Sequence, residues 1–488
     1  MSRGGTIREV ERKILSHLHG RRSRIHLTQI HAHIIRHHLH QSNHILSHFA
    51  SVCGSLRKMA YAHLIFLQTQ HPNILLYNSM IKGYSLSPPF QTSLHLFSTM
   101  KKNGIWPDEF TFAPILKSCS NLSDVKFGQT VHSHVISLGF HCFGAIRVGI
   151  IEVYTNSGTL EDAKKVFDEM PHRDIIIWNL MIHGYCKTGN VDTGYNLFKQ
   201  MKDRNIVSWN TMLSSLSKSN RDLEAMKLFH EMRDTKFEPD EATIVTILPV
   251  CARLGEDEIG QWIHSYAKSN GLYKTHISVC NSILDFYCKR GNLDTAFNVF
   301  NEIQSKNIVS WNIMISGLAF NGNGEKGLSL FDEMIKNGSN PNPNESTFVG
   351  VLSCCVHSGL IQRGRDLFAS MVSNFKIEPK LEHYGCMVDL LGRGGLIKEA
   401  YDLVKSMPMR PNAVLWGALL SSCCNFGDVE VAEVAVKELI SLEPWNSGNY
   451  VLLSNMYAER GKWDEVEKVR VLMMECKIEK APGQSMVR

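Results

Sequence analysis

Apolar residues recur along this chain in one rhythm. A small residue, an aliphatic, an aromatic or aliphatic, and a final apolar residue stand at relative positions 0, 3, 4 and 7, as in Ala163, Val166, Phe167 and Met170. The set returns at Gly194, Leu197, Phe198, Met201, at Ala225, Leu228, Phe229, Met232 and at Ala296, Val299, Phe300, Ile303. It appears again at Gly327, Leu330, Phe331, Met334 and at Ala400, Leu403, Val404, Met407. This spacing is one face of an α-helix, and the small first residue lets a neighbouring helix approach closely. The recurring Met belongs to that core stripe and is read as packing, not as a metal or cofactor box. A second phrase alternates with the stripe: Trp178-Asn179 returns 31 residues later as Trp209-Asn210, and again as Trp311-Asn312. Glycines separate the two halves, at Gly158, Gly189, Gly291 and Gly359; each is predicted to take positive φ after a first helix, with acidic residues opening the second.

A step of 31 to 36 residues is one supersecondary unit copied in tandem, here a helical hairpin. One hairpin cannot bury its apolar face alone, so stacked copies share a continuous core and leave a long concave groove. The predicted fold class is all-α, an α-solenoid superhelix of tandem helix-turn-helix repeats.

The phrases YNSMIKGYS at 77–85 and WNLMIHGYCKTGN at 178–190, the LFxEM endings, and Pro-Asp at 107–108 and 239–240 strongly resemble pentatricopeptide repeat proteins. Units of 35 residues (74–108, 206–240) alternate with units of the form TFxxxLxSC…GxxxHS (109–143, 241–276, 345–380) and with 31-residue units (144–174, 277–307). That alternation is similar to the P, L and S units of the plant subclass, and about eleven units cover nearly the whole chain. LWGALLSSC at 415–423 and NYVLLSNMYAERGKWDEVEKVRVLM at 449–473 resemble the E-type extension of editing-factor relatives. In those relatives a Lys-x-Pro-Gly-x-Ser-Trp phrase leads onward; here Lys480-Ala481-Pro482-Gly483-Gln484-Ser485 reaches Met486. The expected organisation is a basic leader and candidate transit peptide at 1–26, degenerate first repeats at 27–73, the array at 74–412 and the extension at 413–488.

Charge sharpens the N-terminal part. Residues 1–107 hold 13 Lys or Arg against Glu9 and Glu11 alone, although the whole chain is only +5. Ten histidines fall within residues 1–50. QIHAHII at 29–35 matches the repeat phrase TVHSHVI at 130–136, so these histidines are read as a degenerate repeat with a basic face, and no metal site is assigned. The basic leader, with Val10, Ile14 and Leu18 at helical spacing, has the character of an organelle address. The resemblance implies a mitochondrion, with the chloroplast as alternative. No apolar run approaches the 18 or so residues that span a bilayer, so no membrane partner is expected. The 13 cysteines show no CxxC spacing, which points to a reduced compartment rather than a disulfide framework.

No enzymatic chemistry is expected, and no cofactor. Gly322, Gly324 and Gly327 satisfy GxGxxG, but they fall at an inter-helix turn rather than after a strand. The zinc-deaminase signature, HxE followed by PCxxC, does not occur in the 488 residues. Recurrent amides are the candidates for binding. The residue after Trp, Tyr or Cys in the first helix is repeatedly Asn: Asn78, Asn179, Asn210, Asn281 and Asn312. A carboxamide both donates and accepts, which suits a base edge; its structural alternative is a bond to a neighbouring turn. By the resemblance, this residue acts with the last residue of its unit: Asn78 with Asp108, Asn179 with Asn205, Asn210 with Asp240, Asn281 with Asn307, and Asn312 with Asn344. The resemblance then implies uridine for Asn with Asp and cytidine or uridine for Asn with Asn, hence a pyrimidine-biased single-stranded organellar RNA as partner. Leu75, Ile176, Val207 and Val309 would lie against base faces. Ala113, Val245 and Val349 replace the amide in L-type units, and Val148 with Asp174 and Gly385 with Asn412 stay ambiguous.

The function so implied is sequence-specific RNA recognition in organelle RNA processing. Its expected form is site recognition for C-to-U editing, with a deaminase-bearing protein recruited through 413–488. The alternatives are a protein-binding helical scaffold, or an RNA stability or splicing factor without editing.

Overall fold

The computed structural model describes residues 3–19, 24–336 and 341–475. Among these are 29 α-helices, one short 3-10 helix and no strand. The Lys480–Ser485 phrase lies outside the described residues. The chain divides into two compact units, Met1–Pro239 and Asp240–Arg488.

In the N-terminal unit the first helices of successive hairpins stack on one another: Asn43–Ser55 on Ile74–Ser85, then Glu109–Leu122, then Gly144–Ser157. The second helices pack against their own first helices, as Val191–Gln200 does on Ile175–Lys187. The turn glycines behave as predicted: Gly158 and Gly189 have φ of 81° and 87°. The stripe is core, with Ala163 and Ala225 fully buried. At Gly194 a Cβ would stand 2.5 Å from Cys186 Sγ, so the small residue is demanded by helix proximity.

Unit length has a local cause. In 31-residue units the second helix is short, 9 residues at Leu160–Asp168 and 10 at Val191–Gln200, against 12 at Asp222–Arg233. A basic residue then closes the short helix. Arg173 and Arg204 donate from Nε to the Phe167 and Phe198 carbonyls at 2.8 and 3.1 Å while lying 4.5 and 4.7 Å over those rings. The rings in turn meet Trp178 and Trp209 edge-on, at 4.9 and 5.0 Å.

The segment Arg3–His19, expected as a leader, is a helix packed on Arg24–Arg36 and Asn43–Ser55, with Ile14 and Leu18 inside the same core as Ile34 and Phe49. His31 bonds the Tyr61 hydroxyl at 2.7 Å; the matching His132 bonds that of Tyr154 at 2.9 Å.

In the C-terminal unit the same stacking runs through Glu241–Leu254, Ile277–Lys289, Ile308–Phe320, Glu345–Ser358, Leu381–Arg393 and Ala413–Phe426. Val429–Leu442, Ser447–Glu459 and Trp463–Glu475 then each pack on the helix before. Ala296 and Ala400 are fully buried, and Phe300 meets Trp311 at 5.1 Å beneath Lys306. Gly324 opens the helix Gly324–Lys336, and a Cβ on Gly327 would stand 2.5 Å from Cys354 Sγ, so these glycines serve packing. No helix among the described residues is long and apolar enough to cross a membrane.

Candidate nucleic-acid interface

The unit-end residues are first of all helix caps. Asp108 accepts from the Thr111 N–H at 2.9 Å, Asn205 from Ser208 at 2.9 Å, Asp240 from Thr243 at 2.9 Å, Asn307 from Ser310 at 3.0 Å and Asn344 from Thr347 at 3.1 Å. Each such cap satisfies an otherwise orphaned N–H at the start of the next first helix, typically worth about 1 kcal/mol. Asp174 and Asn412 cap in the same way although Val148 and Gly385 offer them no amide. The capping requirement therefore accounts for Asp or Asn at the end of a unit by itself.

The amides of the preceding first helix reach these caps. Asn78 Nδ2 donates to Asp108 Oδ1 at 2.9 Å, Asn281 to Asn307 Oδ1 at 3.3 Å, and Asn312 to Asn344 Oδ1 at 3.1 Å. Asn179 reaches Asn205 Oδ1 at 3.5 Å, the longest of the four. Asn210 is half-buried behind the buried Trp209 in the N-terminal unit, and Asp240 caps Glu241–Leu254 in the C-terminal unit.

A third residue completes each ring, one that recurrence of the amides alone does not flag. The fully buried Thr111, Ser310 and Thr347 donate hydroxyl hydrogens to Asn78, Asn281 and Asn312 Oδ1, at 2.6, 2.7 and 2.7 Å. The signal was present in sequence as a Ser or Thr three residues after Asp108, Asn205, Asp240, Asn307 and Asn344, the N3 half of a capping box, where Asp174 and Asn412 have Ile177 and Leu415 instead.

Around these rings the surface is unusual for a helix face. Leu75, Ile176, Val207 and Val309, the second residues of their helices, are 45%, 58%, 53% and 47% exposed. Each lies one turn before its Asn, on neighbouring faces of the same helix. Phe110 is exposed as well and joins Leu75, Asn78, Lys82 and Asp108 in lining a groove of about 970 Å³. Eleven residues beyond Ile176 and Val207, three turns along the same face, come exposed Lys187 and Lys218. His183 is held below its usual range by burial and then by these two lysines. Arg253, Lys289 and Arg393 take the corresponding last-turn place in the C-terminal unit, where Asp285 and Asp389 pair with Lys289 and Arg393 at 2.7 and 2.8 Å. Summed net charge conceals these cations, which are interrupted at Ile308–Phe320, where Phe320 holds the same place. Their structural share is the favourable interaction of cations with helix C-termini.

Among the described residues no group of three His, Cys, Asp or Glu side chains is placed to hold a metal ion.

Sequence profiles of the PPR repeat family match residues 72–121, 173–206, 204–253 and 306–357, and the PPR repeat profile matches 149–175, 278–308 and 382–410. The pentatricopeptide repeat-containing protein At1g09190 of Arabidopsis thaliana is 56% identical over 98% of this chain and 99% of its own. The chain belongs to the pentatricopeptide repeat family. The E motif matches residues 426–488, within the extension expected at 413–488. The pentatricopeptide repeat-containing proteins At1g08070, chloroplastic, and At1g77170, mitochondrial, both of Arabidopsis thaliana, are 37% and 34% identical, covering 97% and 91% of this chain and 78% and 89% of theirs. The crystal structure of the pentatricopeptide repeat protein PPR10 from maize has the same fold, with a TM-score of 0.59 at 16% identity over 89% of this chain and 74% of that one. The pentatricopeptide repeats thus account for the all-α solenoid class expected from the hydrophobic rhythm.

Proposed function

We propose that this pentatricopeptide repeat protein binds single-stranded, pyrimidine-biased RNA in an organelle and reads it base by base through the amide–cap pairs. The observation that carries the reading is the ring geometry. In each ring the cap's Oδ1 and the amide's carbonyl are consumed within the protein, leaving unused the second N–H of the half-buried Asn78 and Asn312 and of Asn281, which is itself buried. Both pyrimidines offer an O2 acceptor to such a donor. The cap's other atom then decides between them: Asp108 Oδ2 accepts from uracil N3–H, whereas Asn307 and Asn344 Nδ2 donate to cytosine N3. The exposed apolar second residues supply stacking surface for bases, and the cations Lys187 and Lys218 beyond Ile176 and Val207 suit phosphates.

The best-supported setting is C-to-U editing. The E motif match supports this, and our reading is that a deaminase-bearing partner docks on 413–488. Trp445 and Trp463 there are 72% and 65% exposed, the kind of aromatic surface that protein interfaces use. Relatives named for both organelles support an organellar address; the mitochondrion is our reading and the chloroplast its alternative. Crosslinking the protein in isolated organelles and sequencing the retained RNA tests the proposal. Recovery of one or a few pyrimidine-rich sites is expected; recovery of no RNA above background would overturn it.

A further inference from the structure

The same Asn–Asn pair occurs three times in two different states. At Asn281 and Asn312 the amide oxygen receives the Ser310 or Thr347 hydroxyl at 2.7 Å. Each hydroxyl also lies 3.0 Å from the cap Oδ1 of Asn307 or Asn344. That oxygen already accepts the Ser310 or Thr347 backbone N–H and the Asn281 or Asn312 amide, so the single hydroxyl hydrogen goes to the nearer, otherwise unfilled amide oxygen. Asn78 is held the same way, by Thr111 at 2.6 Å against 2.8 Å to Asp108 Oδ1. At Asn179 the arrangement breaks. Ser208 keeps its hydroxyl on Asn205 Oδ1 at 3.0 Å, the Asn179–Asn205 bond stretches to 3.5 Å, and Asn179 Oδ1 is buried without a partner.

An amide presents a donor or an acceptor according to which way it is turned, and a bond to each end removes that freedom. We propose that the buried hydroxyls of Thr111, Ser310 and Thr347 are specificity-determining positioning residues. They lock the neighbouring Asn amide with its N–H toward the base, and the Asn179–Asn205 pair, lacking the lock, discriminates between bases less sharply than the other two Asn–Asn pairs. The inference rests on the base-reading function proposed above. The hydroxyls touch no base; they act through the amide, so their loss flattens one nucleotide's preference without shifting the rest.

The test is selection from a randomised single-stranded RNA pool by the full chain, comparing wild type, Thr347→Val, Thr347→Ser and Thr111→Val, with melting of each protein recorded. Valine keeps the shape and removes the hydroxyl; serine restores it. Discrimination at a well-read base is about tenfold or more, and Thr347→Val should reduce it to within about threefold at one nucleotide, with Thr347→Ser restoring it. Thr111→Val should do the same at a different single nucleotide. Unmutated protein supplies a control for folding: the nucleotide whose preference Asn179→Ala erases should already be the flattest of the three read by Asn–Asn pairs. If wild type shows no preference at any nucleotide, base reading itself fails. If wild type discriminates and Thr347→Val, folded, discriminates equally, or if the Asn179 nucleotide is as sharp as the others, the positioning role is overturned.

Discussion

At the repeat boundary a single side-chain oxygen serves two partners: Asp108 Oδ1 caps Glu109–Leu122 through the Thr111 N–H and anchors the Asn78 amide. Recurrence made Asn78, Asn281 and Asn312 legible in the sequence, together with their unit-end partners. It did not reveal that capping alone asks for Asp or Asn at those ends, because a cap and a base reader favour the same short polar residues. Nor did it reveal Thr111, Ser310 and Thr347, whose hydroxyls look like ordinary first-turn residues until the preceding repeat is laid against them. The half-buried imidazoles are a second residue-scale device. His132 and His264 are held below the ordinary 6.5 chiefly by desolvation, and bond Tyr154 and Tyr287 hydroxyls at 2.9 and 3.0 Å. Glu169 and Asp162 oppose the shift at His132; at His264 Lys268 adds to it and Glu302 opposes it. A histidine kept neutral in the fold binds fewer protons than when unfolded. Its contribution is therefore complete above the unfolded value of about 6.5 and is lost as pH falls from there through the lowered native value. Melting should occur at a lower temperature at pH 5.5 than at 7.5, and His132→Gln with His264→Gln should narrow that gap. An unchanged gap in the double variant would refute this cause.

At the scale of elements, the spacing of apolar residues was enough to place the hairpins, because a stripe with a small first residue is needed wherever two helices cross closely. Ala296 shows how strict the need is: it is fully buried on Leu293–Glu302. Aspartate there would bring an unpaired carboxylate into the core, costing several kcal/mol. Since each repeat is stabilised mainly by its neighbours, the loss should be local. Ala296→Asp is expected to melt earlier and to be cut by protease first around 277–307, while Ala296→Ser stays near wild type; wild-type melting of Ala296→Asp would contradict the shared core. Less legible were the joints. Arg173 and Arg204 recur 31 residues apart, yet the spacing does not show that they stack on Phe167 and Phe198, and the short segments Phe140–Cys142 and Leu272–Thr275 of the L-type units have no repeat signature. The basic segment at the N-terminus read as a leader because composition dominated; Ile14 and Leu18 are nonetheless core residues.

For the molecule as a whole, charge and exposed aromatics separate two tasks. Cations gather in residues 1–107 and in the last turns of some first helices, such as Lys187 and Lys218, whereas the C-terminal helices expose Trp445 and Trp463. Changing both tryptophans to alanine should leave RNA affinity within about twofold, since single-strand affinity comes from stacking and phosphate contacts in the array. The same change should abolish editing at the bound site in the organelle; a matching loss of RNA affinity would place the extension in the RNA surface instead. The central claim, that the unit-end atom outside the ring chooses the base, is tested most directly by Asp108→Asn. Asparagine caps a helix as well as aspartate does, so folding is retained while an outward acceptor becomes a donor. Binding of wild type and Asp108→Asn is measured on two RNAs differing only at the nucleotide that Asn78 and Asp108 read. The account predicts that preference passes from uridine to cytidine by about tenfold with every other position unchanged; equal weakening on both RNAs, or no change on either, would contradict it.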